Sequence, residues 1–396
     1  MLQISVESKD LARAIGVVSR VINKRNTFPI LDNVLLTQED GRFSVTGSNN
    51  EAWATMKMPE ESITVLSGTT MPIGTRRICL PAEMMKQMLG SCPDQRLTCD
   101  IDEESLMMTV AYNSGKFSIP VVAAEDFPQP MVKDAKVCAF SLDSGWLVPR
   151  VKAAKTSVSS EDNLRPVMAN IALDAGHEGV NIVGTDGHTL YKDRLQVGVG
   201  VGFLEGDPCV VLLHQSVFGV IEAAFASAEI IRIETDGSMV TLRSDNFTLV
   251  FRSVEGKYPN YNSVIPRQQS HRVTVNVASL TAAMRRVSIF ADAANNMIKI
   301  GWDGKELSLS ADDIDYDRHA KESVAPSGDD TDLPFGFKIG MKAASLLSLL
   351  GCVKTDTAIM EFTDGTRAMT IREEDANSDL VLLQMPMLIG DEKPKA

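Results

Sequence analysis

The sequence predicts an α+β fold made of three tandem copies of one unit, each with two helices packed on antiparallel sheet. Three observations carry this. An apolar triad at helical spacing occurs three times, at intervals of about 135 residues. A second run of helical character follows each triad, and these runs are also about 130 residues apart. Short alternating apolar runs, broken by Gly, Asp and Asn, fill the stretches between and after the helices.

Leu11, Ile15 and Val18 stand at i, i+4 and i+7, which is one face of a helix. Leu147, Val151 and Ala154 repeat that spacing, as do Leu280, Met284 and Val287. The second helices are expected to begin near Leu80, Leu213 and Met341. Leu80-Pro81 suits a helix start because proline lacks the N–H that a first turn leaves unused. Between the helices, Asn33-Val-Leu-Leu precedes Phe43-Ser-Val-Thr-Gly, and Asn170-Ile-Ala-Leu precedes Val180-Asn-Ile-Val-Gly. In the third copy Asn296-Met-Ile-Lys-Ile precedes Leu307-Ser-Leu-Ser-Ala. Further strands are expected over 106–119, 230–251 and 358–385. Loop-like stretches at Pro130–Lys136 and Pro266–His271 set the expected domains at 1–133, 134–268 and 269–396.

The chain has 396 residues, 44% hydrophobic and 23% charged, the balance of a globular protein. No apolar run reaches the roughly 18 residues of a membrane helix. The first residues mix charge with apolar side chains, unlike a signal peptide, so a cytoplasmic location and no membrane partner are expected. The six cysteines are scattered with no Cys-x-x-Cys pair and read as reduced, buried thiols. The five histidines lack zinc-motif spacing, so neither metal nor cofactor is expected.

A net charge of −13 argues against a simple nucleic-acid binder, but it does not exclude one basic surface on an acidic molecule. Opposite the apolar face of the first helix stand Arg13, Arg20 and Lys24, at i, i+7 and i+11, with Arg25 just beyond. The helix opening the second copy carries Arg150, Lys152 and Lys155, and that opening the third carries Arg285 and Arg286. Lys86 lies in the second helix of the first copy, and Lys342 flanks that of the third. Equivalent helices would present equivalent basic faces, suited to phosphates and carrying no sequence information. Aromatic residues do not interleave with these charges, which points away from single-strand binding.

There is no P-loop and no Gly-x-Ser-x-Gly elbow. Gly198-Val-Gly-Val-Gly202 reads as a loop. Asp186 and His188 could be drawn as an acid–base pair, and Asp312-Asp-Ile-Asp315 as a metal cluster. Both fall where the first copy has Gly47-Ser-Asn-Asn50, at a strand end entering a turn, and the turn reading is preferred. A hydrolase using Asp186 and His188, or a repeat scaffold unrelated to DNA, stays open as an alternative.

Phe28-Pro-Ile-Leu-Asp-Asn-Val-Leu-Leu36 resembles the Pro-Ile-Leu-x-Asn-x-Leu-Leu signature of the bacterial beta sliding clamps, the processivity subunits of DNA polymerase III. Thr185-Asp-Gly-His-Thr-Leu190, Gly256-Lys-Tyr-Pro-Asn-Tyr261 with Val264-Ile-Pro266, and Met385-Pro-Met387 are similar to further segments of that family, in its order. The resemblance implies a non-enzymatic processivity factor: a head-to-tail homodimeric ring of six similar domains, with twelve helices lining a pore around duplex DNA. It implies an ATP-driven clamp loader, the replicative polymerase, and other replication and repair proteins as partners.

The resemblance also implies a hydrophobic partner-peptide pocket formed by Met168, Thr185, Gly187, His188, Leu190, Pro259, Val264, Met385, Pro386 and Met387. Methionine suits a site that accepts several peptides because its side chain adapts. At the dimer seam the family pattern places Phe117 and Ile119 on one side, and Ile289 and Phe290 on the other; core packing is the alternative for all four. Thr189 and Ser263 stand where the family often has basic residues. Pro149, inside the second copy's first helix, is expected to set that helix's start or to kink it.

Overall fold

The computed structural model describes residues 2–67, 75–160, 166–196, 204–328 and 331–389. The glycine-rich stretch 198–202 and the residues 390–396 lie outside them. The same order of elements occurs three times: a strand running into a helix, hairpin strands, a strand running into a second helix, then three more strands. The helices are α1 (Ser8–Val18), α2 (Ala82–Ser91), α3 (Ser144–Ala154), α4 (Gln215–Ala224), α5 (Val277–Val287) and α6 (Ala343–Leu350).

The helical triads are core. Leu11, Ile15 and Val18, then Leu147, Val151 and Ala154, then Leu280, Met284 and Val287 are all buried. One expectation needs correcting. Leu80, Leu213 and Met341 do not open helices; they lie in strands Arg76–Pro81, Cys209–His214 and Lys338–Lys342, each of which runs directly into the helix that follows. A short apolar run reads the same in a buried strand and a buried helix. Pro81 therefore caps α2 rather than occupying its first turn. Likewise α3 does not start at Pro149. Asp143 Oδ1 accepts from Trp146 N and caps the helix, which continues through the proline.

The chain divides into two compact units, and the division does not follow the three copies. The first comprises 1–149, 175–177 and 197–254; the second comprises 150–174, 178–196 and 255–396. The reason is that strands pair between neighbouring copies.

In the first unit a five-stranded antiparallel sheet runs in the order Ile63–Ser67, Leu2–Glu7, Arg96–Asp102, Met107–Tyr112, Gly115–Pro120. A ten-stranded sheet begins with Val122–Ala123, Arg76–Pro81, Asn33–Glu39, Arg42–Ser48 and Ala52–Lys57. It crosses into the middle copy through Phe247–Arg252 and ends with Met239–Arg243, Ile230–Thr235, Cys138–Asp143 and Glu205–Gly206. The crossing is a register of Trp53 on Val250 and Met56 on Phe247. Helices α2 and α4 both pack on α1.

In the second unit the crossing is between Thr189–Gln196 of the middle copy and Val381–Gln384 of the third, with Thr189 opposite Gln384 and Leu190 opposite Leu383. A four-stranded sheet runs Arg318–Val324, Leu307–Asp313, Met297–Trp302, Lys338–Lys342, and α5 packs on its first two strands and on α6.

Two glycines show why the hairpins sit so close to the first helix of a copy. A Cβ on Gly47 would lie 2.3 Å from Val18 O at the end of α1, and one on Gly184 would lie 2.5 Å from Ala154 O at the end of α3. The cysteine expectation is corrected in part: Cys138 and Cys209 form a disulfide, although 71 residues separate them and no spacing motif marks the pair. Cys79, Cys92, Cys99 and Cys352 are free, and burial pushes the thiols of Cys79 and Cys99 up to about 12.

Candidate functional site

The run Thr185–Thr189 is a tight turn held by its own side chains. Thr185 Oγ1 donates to Thr189 O at 2.7 Å and accepts from Gly187 N at 3.1 Å. Asp186 Oδ1 accepts from His188 N, Thr189 N and Thr189 Oγ1 at 2.8, 2.6 and 3.0 Å. Gly187 has φ of 88°, a conformation that favours glycine. The same turn recurs at Thr235–Met239, where Thr235 Oγ1 donates to Met239 O and Asp236 Oδ1 accepts from Ser238 N and Met239 N. The first copy repeats it with Ser48 Oγ accepting from Asn50 N, and Asn49 Oδ1 accepting from Glu51 N and Ala52 N. Asp186 is therefore a turn former, as the sequence reading preferred. Asp312 likewise pairs with Lys299 at 3.1 Å, and no cluster able to hold a metal occurs among the described residues.

That turn places the expected pocket residues, all of which fall in the second unit. Strand pairing sets Leu190 beside Leu383, and Met385 N donates to His188 O at 2.7 Å, so the Met385-Pro-Met387 segment leaves the sheet against the turn. Met387 N donates to Gly340 O at 2.8 Å, where a side chain on Gly340 would collide with Met387 O. Tyr258 OH, buried, lies 3.3 Å from Val183 O and 3.4 Å from Asn170 O, which anchors the following Pro259 near the same strand ends. Met168 lies in the short helix Pro166–Ala169 just ahead of Asn170, half-buried. Thr185 and Leu190 are buried, whereas His188 is exposed, Met385 is 43% exposed and Val264 is 52% exposed. Thr189, in the family's basic position, is buried with its hydroxyl on Asp186; Ser263 Oγ donates to Asn260 O. The sequence reading missed Leu388, which is 89% exposed directly after Met387; its only signal is its position beyond the Met-Pro-Met segment.

The basic residues divide into two classes. Arg13, Arg20, Lys24, Arg25, Lys152, Arg285 and Lys342 are exposed and make no ion pair among the described residues. Arg150, Arg286 and Lys86 have carboxylate partners. Arg150 Nε reaches the buried Asp193 at 2.6 Å, and only 18% of its side chain is exposed. Arg286 holds Glu322 through both nitrogens at 2.8 and 2.6 Å, which keeps the Glu322 carboxyl below its usual range. Lys86 lies 3.4 Å from Glu83, one turn earlier. Lys155 is exposed. The helical i, i+7, i+11 face fails at its end, because α1 stops at Val18: Arg20 lies in a short 3-10 turn, and Lys24 and Arg25 in irregular backbone beyond it.

The expected seam residues also separate. Gly115–Pro120 is the edge strand of the five-stranded sheet. On it Phe117 is half-buried with its ring 5.4 Å from that of Tyr112, whereas Ile119 is 3% exposed and belongs to its own core. Strand alternation puts positions 117 and 119 on one face, and the sheet covers that face at Ile119. Ile289 and Phe290 stand 73% and 40% exposed in the turn after α5.

Two family models match the chain: the N-terminal domain of the DNA polymerase III beta subunit over residues 2–131, and its C-terminal domain over 262–388. Among curated relatives, the beta sliding clamp of Synechocystis is 26% identical over 368 residues, covering 86% of this chain and 90% of that one. The beta sliding clamp of Caulobacter vibrioides is 22% identical, covering 92% and 94%. Among solved structures, a sliding clamp from Pseudomonas aeruginosa bound to griselimycin superposes with a TM-score of 0.86 at 20% identity, covering 98% of this chain and all of that one. The Bacillus subtilis DNA polymerase sliding clamp gives 0.86 at 17% identity, covering 98% and 99%.

Proposed function

This chain belongs to the DNA polymerase III beta subunit family, and from that premise we propose that it works as a processivity factor: a homodimeric ring that slides on duplex DNA and tethers a replicative polymerase. The observation that carries the proposal is that models of both end domains of this one subunit match, in order, a chain whose element pattern repeats three times. The domains are assigned as 1–133, 134–268 and 269–396, with strands paired between neighbours. It has no catalytic role, and its place of work is the cytoplasm. No helix among the described residues is long and apolar enough to cross a membrane.

Sheet edges support a head-to-tail ring. Each junction between copies within the chain pairs the third hairpin strand of one copy with the last strand of the next, and two strands in those positions stay at sheet edges. These are Gly115–Pro120 in the first copy and Arg318–Val324 in the third. Pairing the first edge of one protomer with the second edge of its partner would repeat the internal junctions and close a ring. Phe117, Ile289 and Phe290 would supply apolar contacts there. Topology then retains the ring on DNA, and the unpaired cations Arg13, Arg20, Lys24, Arg25, Lys152, Arg285 and Lys342, with Lys155, supply weak, sequence-independent contacts to phosphates. Partner proteins, the loader among them, dock a short apolar-anchored peptide on the group around Leu190, Pro259, Val264, Met385 and Met387, and polymerase and repair proteins share that site.

The test is loading onto a nicked circular plasmid with an ATP-driven clamp loader, a wash in high salt, then cutting the circle. A ring stays through the wash and leaves on linearisation. Persistence on the linear product, or loss in the wash, would refute the proposal.

A further inference from the structure

The first unit holds an open cleft of about 710 Å³ that the reading above does not use. Its lining is the counterpart, one repeat earlier, of the pocket in the second unit. Asn33 Nδ2 donates to Pro29 O and Ile30 O as Asn170 Nδ2 donates to Pro166 O and Val167 O, so Leu31 takes the place of Met168. The turn Ser48–Ala52 shares three bonds with Thr185–Thr189, from the backbone N–H groups of the third, fourth and fifth residues to the side chains of the first two, which puts Asn50 in the place of Gly187. Arg252 N donates to Glu51 O as Met385 N donates to His188 O. Pro128, beside Phe127, matches Pro259, beside Tyr258, and its carbonyl accepts from Trp53 Nε1 at 2.9 Å. Leu31, Asn50 and Pro128 all line the cleft.

The chemistry differs from that of the second unit. Phe28 and Val122 are 57% and 43% exposed, and the lining carries two carboxylates, Glu125 and Asp126, and no cation among the described residues. The nearby Arg252, in the place of Met385, is paired with Glu51 at 2.9 Å. Val122–Ala123 is the edge strand of the ten-stranded sheet, so an extended chain can lie alongside it.

We propose that this cleft is a second peptide-docking site, for an extended segment of a partner protein with apolar anchors flanked by Lys or Arg. The size suits an apolar anchor, the carboxylates select the flanking charge, and the open edge suits an extended backbone. Basic flanks distinguish its partners from those of the second-unit pocket. This rests on the peptide-docking reading of that pocket only for the analogy; cleft, charge and edge stand without it.

The test is fluorescence anisotropy with labelled Gly-Lys-Lys-Leu-Phe-Leu-Lys-Gly and a twin carrying Glu for each Lys. The full chain carries Met385→Lys and Met387→Lys to disable the second-unit pocket. The lysine peptide is expected to bind at least tenfold tighter than the twin and to lose tenfold or more on Phe28→Ala with Val122→Lys. These side chains are exposed, so the fold is kept, and circular dichroism verifies it. Glu125→Lys with Asp126→Lys should reverse the preference. Equal binding of the two peptides, no binding, or indifference to the cleft substitutions overturns the proposal. Loss of binding on the Met385 and Met387 substitutions alone also overturns it, while the peptide-docking reading of the second-unit pocket stands. A dimer that Val122→Lys splits in sedimentation would assign the cleft to a second copy of this chain, which equally overturns it.

Discussion

Replacing Arg150 by alanine separates stability from DNA contact. The sequence groups Arg150 with Lys152 and Lys155 as cations of one helix expected to meet phosphates, but the structure gives Arg150 a buried partner. Its Nε lies 2.6 Å from Asp193 Oδ2, and the two side chains are 18% and 8% exposed. Arg194 N also donates to Asp193, at 2.7 Å. Removing the guanidinium leaves a charge in a site that water barely reaches. Breaking one side of a buried pair costs about 3–5 kcal/mol, more than a surface pair, which is worth about 0–1. For a unit of this size that lowers the melting temperature by about 10 °C. Scanning calorimetry on Arg150→Ala, with Lys152→Ala alongside, reads the stability. The dependence of DNA association on salt reads the phosphate contacts, one contact changing the logarithmic slope by about 0.9. Arg150→Ala is expected to shift the melting transition and leave the slope alone; Lys152→Ala should do the reverse. A variant as stable as the parent, or a slope that falls with Arg150, would refute the assignment.

Two further outcomes follow from the turns and hairpins. Burial would raise the pKa of Asp236, but donation from Lys133, Met239 and Ser238 N–H groups outweighs it and holds the carboxyl at about 2 against an ordinary 3.8. Because the folded value is the lower one, its contribution is fully present above about pH 4 and is lost as the pH falls toward about 2. It amounts to about 2 kcal/mol. Asp236→Asn should lower the melting temperature at pH 7 and converge with the parent near pH 2; parallel curves over that range would count against it. Gly184→Ala places a Cβ 2.5 Å from Ala154 O and should cost about 1–3 kcal/mol, while Gly16→Ala, with nothing within 4 Å, should be neutral or stabilising. Equal melting temperatures for the two would contradict the close approach of hairpin and helix.

How much of this was legible beforehand depends on the range of the interaction. The apolar triads of α1, α3 and α5 are local and regular, so sequence alone located those helices and their buried faces. The turn at Thr185–Thr189 is also local: an Asp side chain bonding N–H groups two and three residues on explains Asp186 without chemistry. Leu80, Leu213 and Met341 went astray because strand and helix share the same apolar signal where one runs into the other. The pairings of Arg150 with Asp193, Arg286 with Glu322 and Cys138 with Cys209 went unseen because nothing near either residue in sequence marks its partner.

The helical faces and the turn chemistry were thus determined by the sequence itself, since each depends on residues within a turn or two of one another, and the repeat is legible because those local patterns recur along the chain. Which cations are left unpaired, that Ile119 is core, that strands of neighbouring copies join into shared sheets, and that a cleft opens beside Val122 were decided only in three dimensions. Those features depend on distances between segments tens to hundreds of residues apart, and only the folded chain sets such distances.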